Sequence, residues 1–193
     1  MLGVKSRTYI ADVSEAGVMT ADDLLRLNMP NKRTELVRGQ LIVREPAGYV
    51  HGDIAVRLTV AIANHVERNG LGRVFAAETG FKLASNPDTV RAPDVAFISS
   101  ERLPDPPPRG FAAMAPDLAV EVLSPDDRPG EVLNKVGDWL DGGCRLVWVV
   151  DPERRVARVY RADGSAMQLE ADGVLDGESV VPGFAHDLRR VFA

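Results

Sequence analysis

Two apolar runs separated by one helix-length stretch constrain this chain most. Leu118-Ala119-Val120-Glu121-Val122-Leu123 and Leu146-Val147-Trp148-Val149-Val150 contain almost no polar residues, the pattern of strands buried on both faces. Between them, Pro129 to Asp141 predicts a helix, opened by proline and closed by Gly142-Gly143. Strand, helix and strand in that order make a parallel pair with a right-handed crossover. The chain is thereby committed to an α/β architecture in which helices flank a sheet.

The remaining elements fit around that unit. Thr20 with Asp23 three residues on is a variant capping box, predicting a short helix to about Asn28. Thr34-Glu35-Leu36-Val37 and Gln40-Leu41-Ile42-Val43 flank Gly39 and read as a hairpin. Ile54, Leu58, Ala61, Ile62 and Val66 recur at helical spacing over residues 51–69, with Gly70 beyond. Short strands are expected at 74–76, 81–83 and 93–98, and the proline-rich stretch 104–110 reads as a surface excursion. The last third alternates strand and turn, with strands at 156–160, 167–169 and 179–181 and a short helix at 187–191. With 193 residues, one domain over 20–193 after an irregular segment 1–19 is the expected organisation.

Composition excludes several function classes. Hydrophobic residues at 45% and charged residues at 26% match a folded globular chain, not a coiled coil, collagen or a disordered tail. Lys plus Arg number 23 against 28 Asp plus Glu, so 23 − 28 = −5; any nucleic-acid contact must be a local basic patch or be helped by a cation. Cys144 is the only cysteine, which excludes an intrachain disulfide and a multi-thiolate metal site and points to a reducing compartment. No run approaches a membrane span and residues 1–17 show no charged stretch followed by an apolar run, so a cytoplasmic location without membrane association is expected.

Four residues sit where local structure would prefer something else. Glu121 interrupts an apolar strand, where an unpaired carboxylate needs a cation, a proton or an exposed strand end. Asp94 follows Pro93 at the start of a strand, and Glu35 lies in the first hairpin strand. If those strand ends meet, their oxygens suit a hard divalent ion, Mg²⁺ or Mn²⁺. Lys135 borders the apolar helix face formed by Val132, Val136, Trp139 and Leu140 and can reach back toward the sheet. Two or three carboxylates with an ammonium suit phosphodiester hydrolysis.

Plainer roles compete. Lys135 is also spaced to pair with Glu131, Asp94 to cap a turn, and Glu121 to form a structural ion pair. His51 reads first as a helix-capping residue, His65 as a core histidine, His186 as a surface one, and Cys144 as a small core residue. No glycine-rich phosphate loop and no Gly-x-Ser-x-Gly elbow is present.

Taken in order, Thr34-Glu35-Leu36-Val37-Arg38-Gly39, His51, Ala92-Pro93-Asp94-Val95, Glu121-Val122-Leu123-Ser124-Pro125, Lys135 and Trp148-Val149-Val150-Asp151-Pro152 resemble the Uma-two family, named as restriction endonucleases within the PD-(D/E)XK nuclease superfamily. The resemblance runs from about residue 20 to the C-terminus. It implies a restriction-endonuclease-like core with a mixed central sheet, Asp94 and Glu121 as metal ligands, and Glu35 as a further acidic member of the site. The superfamily's lysine commonly stands two residues after the second acid, where this chain has Leu123, so the resemblance implies a lysine moved to Lys135. Gln40 and Trp139 depart from the family's usual acid and tyrosine.

These readings converge on a Mg²⁺- or Mn²⁺-dependent endonuclease with DNA as substrate, using Asp94, Glu121, Lys135 and Glu35, with a homodimer allowed for. The alternatives are a catalytically inactive nuclease-fold protein that binds nucleic acid or a protein partner, and a metal hydrolase of small phosphates. The expected convergence of Asp94, Glu121 and Lys135 in one cleft, with Glu35 on its wall, requires Lys135 and Glu121 on the same side of the sheet.

Overall fold

The computed structural model describes residues 9–10 and 17–193. In chain order the elements are β1 (Tyr9–Ile10), α1 (Ala21–Arg26), β2 (Arg33–Val37), β3 (Gln40–Arg44), α2 (Tyr49–Asn69), β4 (Gly72–Ala76), β5 (Phe81–Ala84), β6 (Thr89–Arg91) and β7 (Val95–Ser99). A turn of 3₁₀ helix then leads to β8 (Leu118–Val122), α3 (Pro129–Asp141), β9 (Leu146–Asp151), β10 (Val156–Arg161), β11 (Ala166–Leu169), β12 (Val174–Asp176), β13 (Ala185–Asp187) and α4 (Leu188–Val191).

A six-stranded sheet in the order β11-β10-β9-β8-β7-β4 forms the centre. Its β8 and β9 run parallel, joined through α3 as the two apolar runs require, and the other neighbours are antiparallel. Alternation along β8 divides its side chains between two cores. Leu118, Val120 and Val122 join Ile54, Leu58, Ile62 and Val66 of α2 and the C-terminal Leu175, Phe184 and Leu188. Ala119 faces the other way with Val147, Val149, Cys144, and Val136 and Trp139 of α3. Glu121 shares that second parity, so it points to the α3 side.

A smaller antiparallel sheet, β1-β3-β2-β6-β5, packs its apolar parity, Leu36, Leu41, Val43 and Val90, on α1. The opposite parity carries Arg33, Glu35 and Arg91 and meets α3. The β2–β3 hairpin turns through Arg38 and Gly39 at φ 49° and 76°, the left-handed pair of a tight hairpin. A Cβ on Gly39 would fall 2.0 Å from Val18.

Some expectations shift. Most of the 1–19 segment lies outside the described residues, but Tyr9–Ile10 forms a strand against β3. Helix α2 begins at Tyr49 with Gly48 as its N-cap, so His51 lies inside the first turn and does not cap it. No strand forms at 179–181: Val180 and Val181 are buried, but their N–H groups close a turn onto the Gly177 carbonyl. Their apolarity fills the core; the strand pairing there belongs to β12 and β13. Among the described residues no helix is long and apolar enough to cross a membrane.

Candidate active site

Register brings the two strand acids together. Val95 pairs with Val120 in the antiparallel β7–β8 ladder, so one step further sets Asp94 beside Glu121. The Asp94 N–H donates to the Val120 carbonyl at 2.9 Å, and Asp94 Oδ2 accepts from the Val122 N–H at 2.7 Å. Pro93, which has no N–H, precedes this junction without costing the ladder a bond.

Helix α3 answers the carboxylate of Glu121. Lys135 and Trp139 are one turn apart on its inner face; Lys135 Nζ donates to Glu121 Oε2 at 2.8 Å and Trp139 Nε1 donates to Glu121 Oε1 at 2.8 Å. Lys135 also reaches the Ala92 carbonyl at 3.2 Å and Glu35 Oε1 at 3.0 Å. Its spacing to Glu131 goes unused, because Glu131 faces Arg44 instead.

From the other face of the sheet, His51 of α2 places Nε2 3.2 Å from Asp94 Oδ2, while its Nδ1 is buried without a partner. Asp94, Glu121, Lys135 and His51 line one pocket of about 280 Å³, walled by Arg44 at the end of β3, residues 45–48 after it and residues 123–127 after β8. Glu35 stands behind Lys135 and lines an adjoining hollow that shares Asp94. Its oxygens accept from Arg91 Nη1 and the Ala92 N–H, each at 2.9 Å. Arg91 is fixed further by Asp138, 2.6 Å from its Nη2.

Asp94, Glu121, Lys135, His51, Glu35 and Arg91 are all buried, and the carboxylates among them diverge in charge accordingly. Burial, and then the repulsion of Asp94 and Glu35, outweighs the pull of Lys135 and raises Glu121 to about 7. Burial acts the same way on Glu35, but Lys135, Arg91 and the Ala92 N–H overcome it and hold Glu35 at about 2. For Asp94, too, burial is overcome, here by His51, Lys135 and the Val122 N–H, which hold its carboxyl below the ordinary range. Lys135, which burial alone would discharge, is held protonated by Glu121, Glu35 and Asp94.

Folded, metal-free protein therefore keeps a proton on Glu121 over a range where the unfolded chain, at the ordinary 4.5, has released it. The stability this contributes is complete below about 4.5 and is lost as the pH rises through about 7. Glu35 runs oppositely: its contribution is present above about 4.5 and lost as the pH falls toward 2. The thermal midpoint of metal-free protein is expected to fall between about pH 5 and about pH 8, and that of Glu121→Gln to fall less. Parallel profiles for the two proteins would contradict the assignment.

Among the described residues, no three His, Cys, Asp or Glu side chains form a ready-made ligand set. The donors available to a hard cation are thus a carboxylate pair, Asp94 and Glu121, whose remaining positions water and substrate can fill, as Mg²⁺ accepts. Among the described residues the cation nearest Asp94 Oδ1 is Arg33, at 3.7 Å, and a divalent cation would offset both the burial and the repulsion by Asp94 and Glu35 that raise Glu121. Each Glu121 oxygen already accepts one hydrogen bond, from Trp139 or Lys135, which leaves each a second lone pair for such an ion.

Cys144 is buried, donates to the Leu146 carbonyl at 3.2 Å, and is pushed up to about 12 by burial, which makes it inert. His65 is half-buried against the Pro182 carbonyl, and His186 packs near Phe184; neither lines the pocket.

The sequence model of a family described as "Uma2: Putative restriction endonuclease" matches residues 21–189. A solved structure, a putative nuclease belonging to DUF820 from Anabaena variabilis ATCC 29413, superposes with a TM-score of 0.79 at 22% identity, covering 90% of this chain and 97% of that one. It shares the restriction-endonuclease-like fold. No curated protein matches.

Proposed function

The chain belongs to the Uma2 family, and from that premise we propose that it is a Mg²⁺- or Mn²⁺-dependent endonuclease hydrolysing DNA phosphodiester bonds. The observation that carries this reading is one pocket holding Asp94, Glu121 and Lys135, with the lysine Nζ 2.8 Å from the second acid. Asp94 and Glu121 would hold the cation, which supplies Lewis-acid polarisation of the phosphate and a more acidic water.

The chain's own groups do the rest. Lys135 stays an ammonium between Glu121 and Glu35, so its part is to orient water and stabilise negative charge that develops in the transition state, not to take a proton. Glu35, itself fixed by Arg91, holds Lys135 from behind, and Trp139 fixes the rotamer of Glu121. Glu35 thus supports the base of the site through Lys135, with its oxygens already occupied.

The test is direct. Purified protein is expected to cut DNA with Mg²⁺ or Mn²⁺ and not with chelator. Millimolar Mn²⁺ is expected to raise the thermal midpoint of the wild type by several degrees, and Glu121→Gln to lose that rise. An unchanged wild-type midpoint together with no cleavage would overturn the reading.

A further inference from the structure

Arg33 and Arg44 face each other directly across the β2–β3 hairpin. Opposed residues of an antiparallel pair project to the same face, and like charges there are destabilising. The two guanidinium groups repel each other, yet both side chains line the pocket of Asp94, Glu121 and Lys135, and each is about a quarter exposed at 24%.

Their bonding capacity is underused on the pocket side. Among the described residues the Arg33 side chain makes no hydrogen bond, and its nearest acid is Asp94 at 3.7 Å. Arg44 turns its terminal nitrogens to Asp127 at 2.9 Å and Glu131 at 3.7 Å, while its Nε is buried without a partner. Arg91 is the contrast: Glu35 and Asp138 occupy its guanidinium and it is buried. One arginine of this sheet face is therefore structural, and two are left at the pocket.

We propose that Arg33 and Arg44 form a phosphate clamp that seats the DNA backbone beside the carboxylate pair. The assignment rests on the nuclease reading above and names how its substrate is held. Planar guanidinium groups match phosphate oxygens in fork geometry, and a chain of net charge −5 must supply local cations where a polyanion docks. Asp127 holds Arg44 until phosphate competes for it, which ties the loop after β8 to the end of β3 across the pocket.

The experiment measures binding of a short fluorescein-labelled DNA duplex over a range of salt, on the Glu121→Gln background so that no strand is cut. Arg33→Gln is expected to weaken binding roughly tenfold and to lower the slope of log affinity against log salt by about 0.9, the loss of one phosphate contact. Arg44→Gln is expected to do the same. Asp127→Asn, which frees Arg44, is expected to tighten binding, a change of sign that a merely loosened fold would not give. Unchanged affinity and slope in the arginine variants, with the parent binding DNA, overturn the clamp and leave the nuclease reading standing. No binding by the parent and no cleavage by the wild type overturn both.

Discussion

Lys135→Ala is expected to lose at least about a hundredfold in DNA cleavage while retaining the Mn²⁺-induced rise in thermal midpoint. The cause is a division of labour. Asp94 and Glu121 offer oxygens to a cation, whereas the Lys135 ammonium, 2.8 Å from Glu121 and 3.0 Å from Glu35, acts on charge that appears during the reaction. A group that favours the transition state over the bound substrate changes the rate more than binding. Asp94→Asn is expected to lose both readouts, because Oδ2 is already bonded to Val122 and His51 and the amide removes the anionic character of the oxygen that remains. Nuclease assays and metal titrations on the two variants check this. Wild-type activity in Lys135→Ala would leave the lysine as a structural counter-ion of Glu121 and Glu35 and remove it from the chemistry.

Arg91→Ala is expected to destabilise the fold by about 3–5 kcal/mol, the usual cost of stripping one partner from a buried ion pair. Arg91 is 5% exposed and bridges Glu35 to Asp138, so its loss strands one carboxylate inside and weakens the docking of α3. Lys135 still faces Glu35, which places the expectation toward the lower end. Adding Glu35→Gln to Arg91→Ala should recover part of the loss, since the stranded charge is then gone. Urea unfolding of the single and double variants measures it. A loss below about 1 kcal/mol would mean that water or a neighbour replaces the guanidinium freely.

Which parts of the fold can be read from sequence depends on where the pattern has room to show itself. Helices α2 and α3 have long apolar stripes and glycine ends, and the β8–α3–β9 unit is legible in two apolar runs. The three-residue strand β6 offers no period to read, yet it carries Arg91, which joins the small sheet to α3. Glu121 is conspicuous as a carboxylate among apolar neighbours, and Lys135 as a cation beside an apolar helix face. Trp139 looks like plain core, although its spacing of four from Lys135 already places it over the same acid. The capping role expected of His51 fails because the helix starts two residues earlier, and Arg33 and Arg44 stay hidden because their pairing appears only once the hairpin register is fixed.

The ammonium of the site stands on a helix while both acids stand on one sheet, and this divides the chain into lengths that can change and lengths that cannot. The rotation of α3 is set by Val136 and Trp139 locked into the core beneath it, so the loop between Val122 and Pro129, which walls the pocket through residues 123–127, does not set where Lys135 points. Extra residues in that loop should leave Lys135 where it is. Removing one residue inside α3 between Val132 and Lys135 is different. It turns the start of the helix by about 100° relative to its C-terminal turns, so either the helix start or the lysine must leave its seat.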